Sequence, residues 1–422
     1  MKKSVYKGYL SILKEELLPA MGCTEPISLA YAAALARSVL GTLPERVEIS
    51  VSGNILKNVK SVIVPNTGGL KGVTAAAAAG IVAGNAESKL QVLSEVTDSE
   101  KQAIKSYLAA TPFTVNKARS ECVFDIGVKV FSGGDDAYVR IEGHHTNVVT
   151  VEKNGKRIVD GKLFTEECRT DRSILNVCDI IEFANEVKLC DVEEIINRQI
   201  EYNYAIAQEG LKNDYGANVG KVLLKAFGND VHNLAKATAA AGSDARMNGC
   251  NLPVVIVSGS GNQGMTTVLP VVVYAKHMNA EREKLIRAVT LSDLITIHLK
   301  TGIGRLSAYC GAVSAGAGAG AGVCYLYGGG YEQIAHTIVN ALAINSGIIC
   351  DGAKSSCAAK IASAVDAGLL GMEMNRCGNQ FMGGDGILDS AVEKTIDNVC
   401  DLARIGMKET DEEIIKLMIK SI

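Results

Sequence analysis

Twelve cysteines are spread along a chain of 422 residues, and four of them stand where thiol chemistry is easier to justify than packing. Cys23 lies in "MGCTEPIS", a polar Gly-Thr-Glu-Pro turn that runs directly into a strongly helical apolar stretch. Free cysteines are usually buried as small hydrophobes, so a thiol in such a turn asks for a chemical reason. Thr24 or Glu25 can cap the helix and Pro26 suits its first turn, which puts Cys23 beside a helix N-terminus. The positive end of the helix dipole favours thiolate and lowers a cysteine pKa from about 8.5, while Glu25 pushes the other way. A thiolate tuned in this way serves as a nucleophile or as a general base.

The other three occupy polar, glycine-rich loops of the second half: Cys310 in "GRLSAYCGA", and Cys350 and Cys357 in "NSGIICDGAKSSCAAK". None follows the short C-x-x-C spacing of zinc ribbons or ferredoxin-like clusters. A lone cysteine in such a place is more often an inert core thiol, but two of them near Asp351, Lys354, Ser355 and Ser356 shift the balance toward metal ligation or catalysis. Cys250 in "MNGCNLP" and Cys377 in "NRCGNQF" compete on the same grounds. Cys122, Cys168, Cys178, Cys190, Cys324 and Cys400 sit in strand-like, helical or nondescript settings and read as structural.

Two further motifs bear on the chemistry. In "PVVIVSGSGNQGM", Gly259, Gly261 and Gly264 match the spacing of a dinucleotide loop after a β-like run. Pro270 is expected to interrupt the following helix early and no βαβ alternation surrounds the motif, so a glycine loop that accepts a substrate carboxylate is the better reading. His144 and His145 in "EGHHTNVV" fall between two strand patterns, where a solvated turn is the commoner meaning. His232, His277, His298 and His336 lie on helical patterns without a metal-type partner at short spacing.

The elements that must position these residues divide the chain in two. Residues 5–18, 27–40 and 73–84 have helical spacing, and "RVEISVS" and "KSVIVPN" read as strands. The runs "CVFDIGVKVFSG", "DAYVRIEG" and "NVVTVEKNGKRIV" alternate every second residue between turn signals, the signature of an antiparallel meander. Residues 1–190 are thus predicted to form an α+β domain with an antiparallel sheet that carries the Cys23 motif. Strand signals nearly vanish beyond residue 192, so residues 191–422 are predicted to form an all-α domain with a buried Gly/Ala-rich helix. A cleft between the halves would bring Cys23 toward the loop cysteines.

Composition narrows the function classes. With 47% apolar residues and seven scattered prolines, the chain is built to fold. Lys and Arg number 43 against 46 Asp and Glu, with a net charge of −3, no basic block and no Trp, which argues against nucleic-acid binding. The N-terminal "MKKSVYKGYLSILKEELLPA" lacks a signal-peptide core and cleavage site, so a cytoplasmic protein with reduced thiols is expected rather than a disulfide framework. Residues 306–331 are uncharged, but their Ala, Gly and Ser content suits close helix packing better than a membrane span.

Taken in order, "MGCTEPISLAYAAALAR", "HTNVV", "SGSGNQGMTTVLPVVVYA" and "NSGIICDGAKSSCAAKIASAV" resemble the L-cysteine desulfidase family, which is related to the iron–sulfur L-serine dehydratases. The likeness spans residues 10–370. It implies a carbon–sulfur lyase with one [4Fe-4S] cluster per subunit that converts L-cysteine and water to hydrogen sulfide, pyruvate and ammonia. It also implies that the cluster ligands fall on Cys310, Cys350 and Cys357 and the proton acceptor on Cys23, with Asn262 and His145 as candidate substrate contacts. Three thiolates leave one iron open, as a catalytic zinc site leaves a fourth position. Such an iron can bind the substrate's β-sulfur as a Lewis acid while a base takes the α-proton, and aminoacrylate then hydrolyses to products. Dehydration of L-serine is the near alternative, a non-catalytic iron–sulfur redox or iron sensor the alternative of another class, and a dinucleotide oxidoreductase the third. Two features depart from the relatives: the dehydratase serine-histidine loop is not visible, and no cysteine follows Cys400 to close the open iron. The implied partner is a small amino acid, without nucleic acid or membrane, and a homo-oligomer is left open.

Overall fold

The computed structural model describes residues 1–118, 120, 122–160, 170–304 and 307–420; Cys168 lies outside them. Helix α1 (Lys3–Glu16) buries Tyr9, Ile12 and Leu13 on one face, and the short strand β1 (Pro19–Met21) leads to α2 (Thr24–Leu40). Strand β2 (Arg46–Val51) is followed by α3 (Gly53–Val59), α4 (Val73–Ala83) and α5 (Asp98–Ala110). Then come β3 (Phe113–Lys117), β4 (Asp125–Ser132), β5 (Asp135–Glu142), β6 (Val148–Lys153) and β7 (Lys156–Asp160).

The sheet runs in the order β3-β2-β4-β5-β6-β7. Its inner face is apolar: Val47, Ile49, Ile126, Val128, Val130, Val139 and Ile141 are fully buried, and α2 packs over β4 and β5. Tight turns join β4 through β7, and these pairs are antiparallel. The prediction of a purely antiparallel sheet needs one correction, because β2 and β3 are parallel. Three helices separate them, and only a crossover of that length can return a strand in the same direction. A second correction concerns "KSVIVPN", which forms no strand. Val62 and Val64 are buried as an alternating pattern requires, but the chain turns at Asn66, where φ is 57°, and only an isolated bridge between Ile63 and Lys71 remains.

The rest is mostly helical: α6 (Val177–Glu186), α7 (Leu189–Lys212), α8 (Val219–Phe227) and α9 (Val231–Met247), then β8 (Pro253–Val255) and α10 (Gly261–His277). Beyond these lie α11 (Arg282–Ile303), α12 (Gly311–Leu326), α13 (Tyr331–Ile344), α14 (Cys357–Arg376), α15 (Val392–Asp401) and α16 (Lys408–Lys420). Pro270 does not interrupt α10, which continues through it. The side chains of α12 from Ala312 to Val323 are buried among α10, α11, α13 and α14. Close approach requires its glycines: a Cβ on Gly316 would stand 2.2 Å from the Ala364 carbonyl oxygen, and one on Gly320 2.5 Å from that of Gly368.

Two features tie the N-terminal segments to the helices. Strand β1 pairs antiparallel with β8, Pro19 opposite Val255, and Tyr9 of α1 meets Phe183 of α6 edge-on at 5.2 Å. Among the described residues, no helix is long and apolar enough to cross a membrane.

Candidate active site

The first turns of α2, α10, α12 and α14 all reach one cavity of about 1400 Å³. The leading N–H groups of a helix lack intrahelical acceptors and carry its positive dipole end. A wall made of four such starts favours an anionic occupant.

Cys310, Cys350 and Cys357 line this cavity together with Cys23, His145 and Asn262. An antiparallel bridge between Tyr309 and Ile349 sets two of the thiols side by side. The Cys310 N–H donates to the Ile348 oxygen at 2.9 Å, and the Cys350 N–H donates to that of Ala308 at 2.6 Å. Their sulfurs share a hydrogen bond that raises the Cys310 thiol and lowers that of Cys350, and the Lys57 ammonium pulls Cys350 further toward thiolate. Cys357 opens α14, its thiol raised by burial. Lys57 and Lys300 stand within electrostatic reach of Cys350, and burial pulls Lys300 down to about 8.

Cys23 occupies the N-cap position of α2 itself, without a side-chain cap, and Pro26 lies in the first turn. It is only 3% exposed, and its Sγ donates to Glu25 Oε2 at 3.1 Å. Glu25 is held from two more sides, by Thr24 Oγ1 at 3.1 Å and Asn58 Nδ2 at 3.1 Å. The dipole argument therefore loses: burial and the Glu25 carboxylate push the Cys23 thiol well up, against the opposing Arg246 charge and the Glu25 backbone N–H at the helix start. Val62 and Met247 form a small apolar cluster with Cys23, and Cys357 packs against it. Thr24 also donates to the Gly259 oxygen at 2.9 Å, joining the start of α2 to the glycine loop.

His145 is buried rather than in a solvated turn; its backbone oxygen accepts from Ser28 Oγ at 2.6 Å, and its ring meets Phe124 edge-on at 4.7 Å. Asn262 accepts from Arg246 Nη1 at 3.1 Å through Oδ1. The glycine loop follows β8, whose only strand partner among the described residues is antiparallel, which is not the parallel βαβ setting of a dinucleotide fold. Cys122, read from sequence as structural, lines the cavity as well, whereas Cys250 and Cys377 do not. Glu25, Lys57, Arg246 and Lys300 were not selected as site residues from sequence; on helical runs, charged residues look like any solvated face.

Donor chemistry suits a thiolate-held cluster: three cysteines on one wall with two buried lysines to offset negative charge. Among the described residues, no three His, Cys, Asp or Glu side chains close around a point as a single metal ion requires.

A family model described as "serine dehydratase alpha chain" matches residues 87–416. The chain belongs to the serine dehydratase alpha chain family. The matched span of this serine dehydratase alpha chain member contains the three wall cysteines, His145, Arg246 and Asn262, while Cys23 precedes it. Full-length similarity extends further. A UPF0597 protein of Desulfitobacterium hafniense is 58% identical over 98% of this chain and 97% of its own. Others from Lachnoclostridium phytofermentans and Treponema denticola are 51% and 47% identical, covering 98% and 100% of this chain and 100% and 99% of theirs.

Proposed function

We propose that the protein catalyses iron–sulfur-dependent β-elimination on a small L-amino acid, with L-cysteine as substrate and hydrogen sulfide, pyruvate and ammonia as products. The observation that carries this reading is the meeting of Cys23 with Cys310, Cys350 and Cys357 around one cavity. Cys310, Cys350 and Cys357 would hold one [4Fe-4S] cluster per subunit, and when bound it supplies a Lewis acid for the leaving group.

The chain's own residues supply the rest. Cys23 takes the α-proton, for which it must first lose its own, and Glu25 Oε2 stands 3.1 Å away as the acceptor. The Arg246 charge favours the resulting thiolate. His145 and Asn262 line the walls. Met407, Asp411 and Ile415, contributed by α16 and the turn before it, line one side of the cavity.

Family membership favours a second reading, dehydration of L-serine. The substrates differ only in the β-atom, and sulfur is the softer donor for iron. Both readings are tested on protein purified without oxygen, by recording its visible spectrum and assaying sulfide and pyruvate from L-cysteine beside pyruvate from L-serine. Cluster absorption with sulfide release is expected. A preparation that stays colourless, iron-free and inactive after cluster reconstitution would sink the proposal, and turnover of L-serine alone would select the second reading.

A further inference from the structure

The cavity holds a buried cation whose charge favours the Cys23 thiolate but whose hydrogen-bonding fork the proposed chemistry leaves unused. Arg246 ends α9 in the run "GSDARM", is 2% exposed and lines the cavity. Its Nη1 donates to Asn262 Oδ1 at 3.1 Å, its Nε is buried without a hydrogen-bond partner, and among the described residues no carboxylate forms an ion pair with it. A guanidinium removed from water is costly unless an anion meets it, and its planar fork fits a carboxylate with two parallel hydrogen bonds.

Its surroundings point the same way. The guanidinium lies against the first residue of α10, since a Cβ on Gly261 would stand 2.5 Å from Arg246 Nε. That helix start presents N–H groups with no intrahelical acceptor to the same space. Ser258 and Gly259, just before it, both hold positive φ, 49° and 80°, which folds the loop back on itself. The neighbouring residue Met247 touches Cys23 and accepts from Asn262 Nδ2 at 3.7 Å, so Cys23, Arg246 and Asn262 form one connected corner.

The position matters for an amino acid. Its carboxyl carbon is bonded directly to Cα, so a group that takes the α-proton and a group that holds the carboxylate must be near neighbours. Lys57 and Lys300 stand instead within electrostatic reach of Cys350, and Lys300 of Cys310 as well.

From this placement we infer that Arg246, held by Asn262 at the start of α10, binds the α-carboxylate of the substrate and so restricts the site to free α-amino acids. The inference rests on the β-elimination reading for the identity of the substrate, but its test reads binding rather than turnover. The probes are L-alanine, which has the carboxylate and no leaving group, and L-alaninamide, which has neither. Calorimetric titration of the anaerobic holoenzyme is expected to show binding of L-alanine and at least a roughly tenfold weaker affinity for L-alaninamide. Arg246→Gln should bring the two probes to the same weak affinity, and Arg246→Lys should keep part of the preference. In turnover, Arg246→Lys should raise KM for L-cysteine far more than it lowers kcat. Equal affinity for both probes in the wild type, no binding of L-alanine, or a preference that survives in Arg246→Gln would each overturn the inference. The wild-type comparison decides even where Arg246→Gln does not fold. Arg246-dependent L-alanine binding in a protein without lyase activity would keep the subsite and refute the β-elimination reading instead.

Discussion

A thiol hydrogen-bonded to a carboxylate in a buried corner is a poor thiolate at rest, and Cys23 is in that position. If it is the base, Cys23→Ala abolishes sulfide and pyruvate formation while the reconstituted protein keeps its visible absorption; loss of that absorption would make Cys23 a ligand. Of the five cysteines that line the cavity, four were legible in sequence because each sits in a loop whose neighbours include Gly, Ser, Thr or a charged residue, and Cys122, in a strand-like run, was not. Arg246 was not legible. It lies in "AAAGSDARMNG", where nothing local tells a buried guanidinium from an exposed one, and only the approach of Gly261 and Asn262 from a later helix reveals its role. The pKa of Cys23 failed for a related reason, since a dipole can be read from a helix start and a desolvation penalty cannot.

Among the elements, α11 carries a second buried charge of a different kind. Asp293 is fully buried, accepting from Gln199 Nε2 at 2.8 Å and Thr267 Oγ1 at 3.0 Å, and so ties α7 and α10 to α11. Burial raises it to about 7. An unfolded aspartate titrates near 3.9, so between those values the folded chain holds a proton that the unfolded chain has released. Stability from this group is therefore complete below about pH 4 and declines as pH rises to about 7. An asparagine side chain in the same place keeps the acceptor oxygen without the charge. Asp293→Asn should raise Tm above that of wild type at pH 8, by roughly 2 °C or more, with a smaller difference at pH 5; equal melting at both values would refute the argument. The element boundaries themselves were mostly readable. The meander followed from alternation, whereas the parallel β2–β3 pair depends on what the intervening helices pack against, which periodicity does not encode.

At the scale of the molecule, the last helix is pinned across the cavity. Lys57 of α3, 2% exposed, forms an ion pair with Asp411 of α16, and its Nζ also donates to the Cys350 oxygen at 3.4 Å. Ile415 packs on Gly53, and Lys60 Nζ donates to the Met418 oxygen at 2.6 Å. Removing one partner of a buried pair strands the other charge. Asp411→Asn should therefore loosen α16, and limited proteolysis should cut within residues 408–420 faster than in wild type; an unchanged rate would mean that the packing of Ile415 and the Lys60 hydrogen bond hold the helix without the ion pair. No sequence pattern announced this closure, since the tail "DEEIIKLMIKSI" showed an amphipathic helix without saying where its apolar face would land.

The helix starts that form the cavity are far apart along the chain, and that separation has a consequence in time. At about 5–20 residues per second on the ribosome, Cys23 emerges roughly 20 s to a minute before Cys357. Until residues 246–255 have followed, β1 has no β8 to pair with, and the corner around Cys23 has neither Met247 nor Arg246. The wall of thiols is thus complete only after most of the chain has been made.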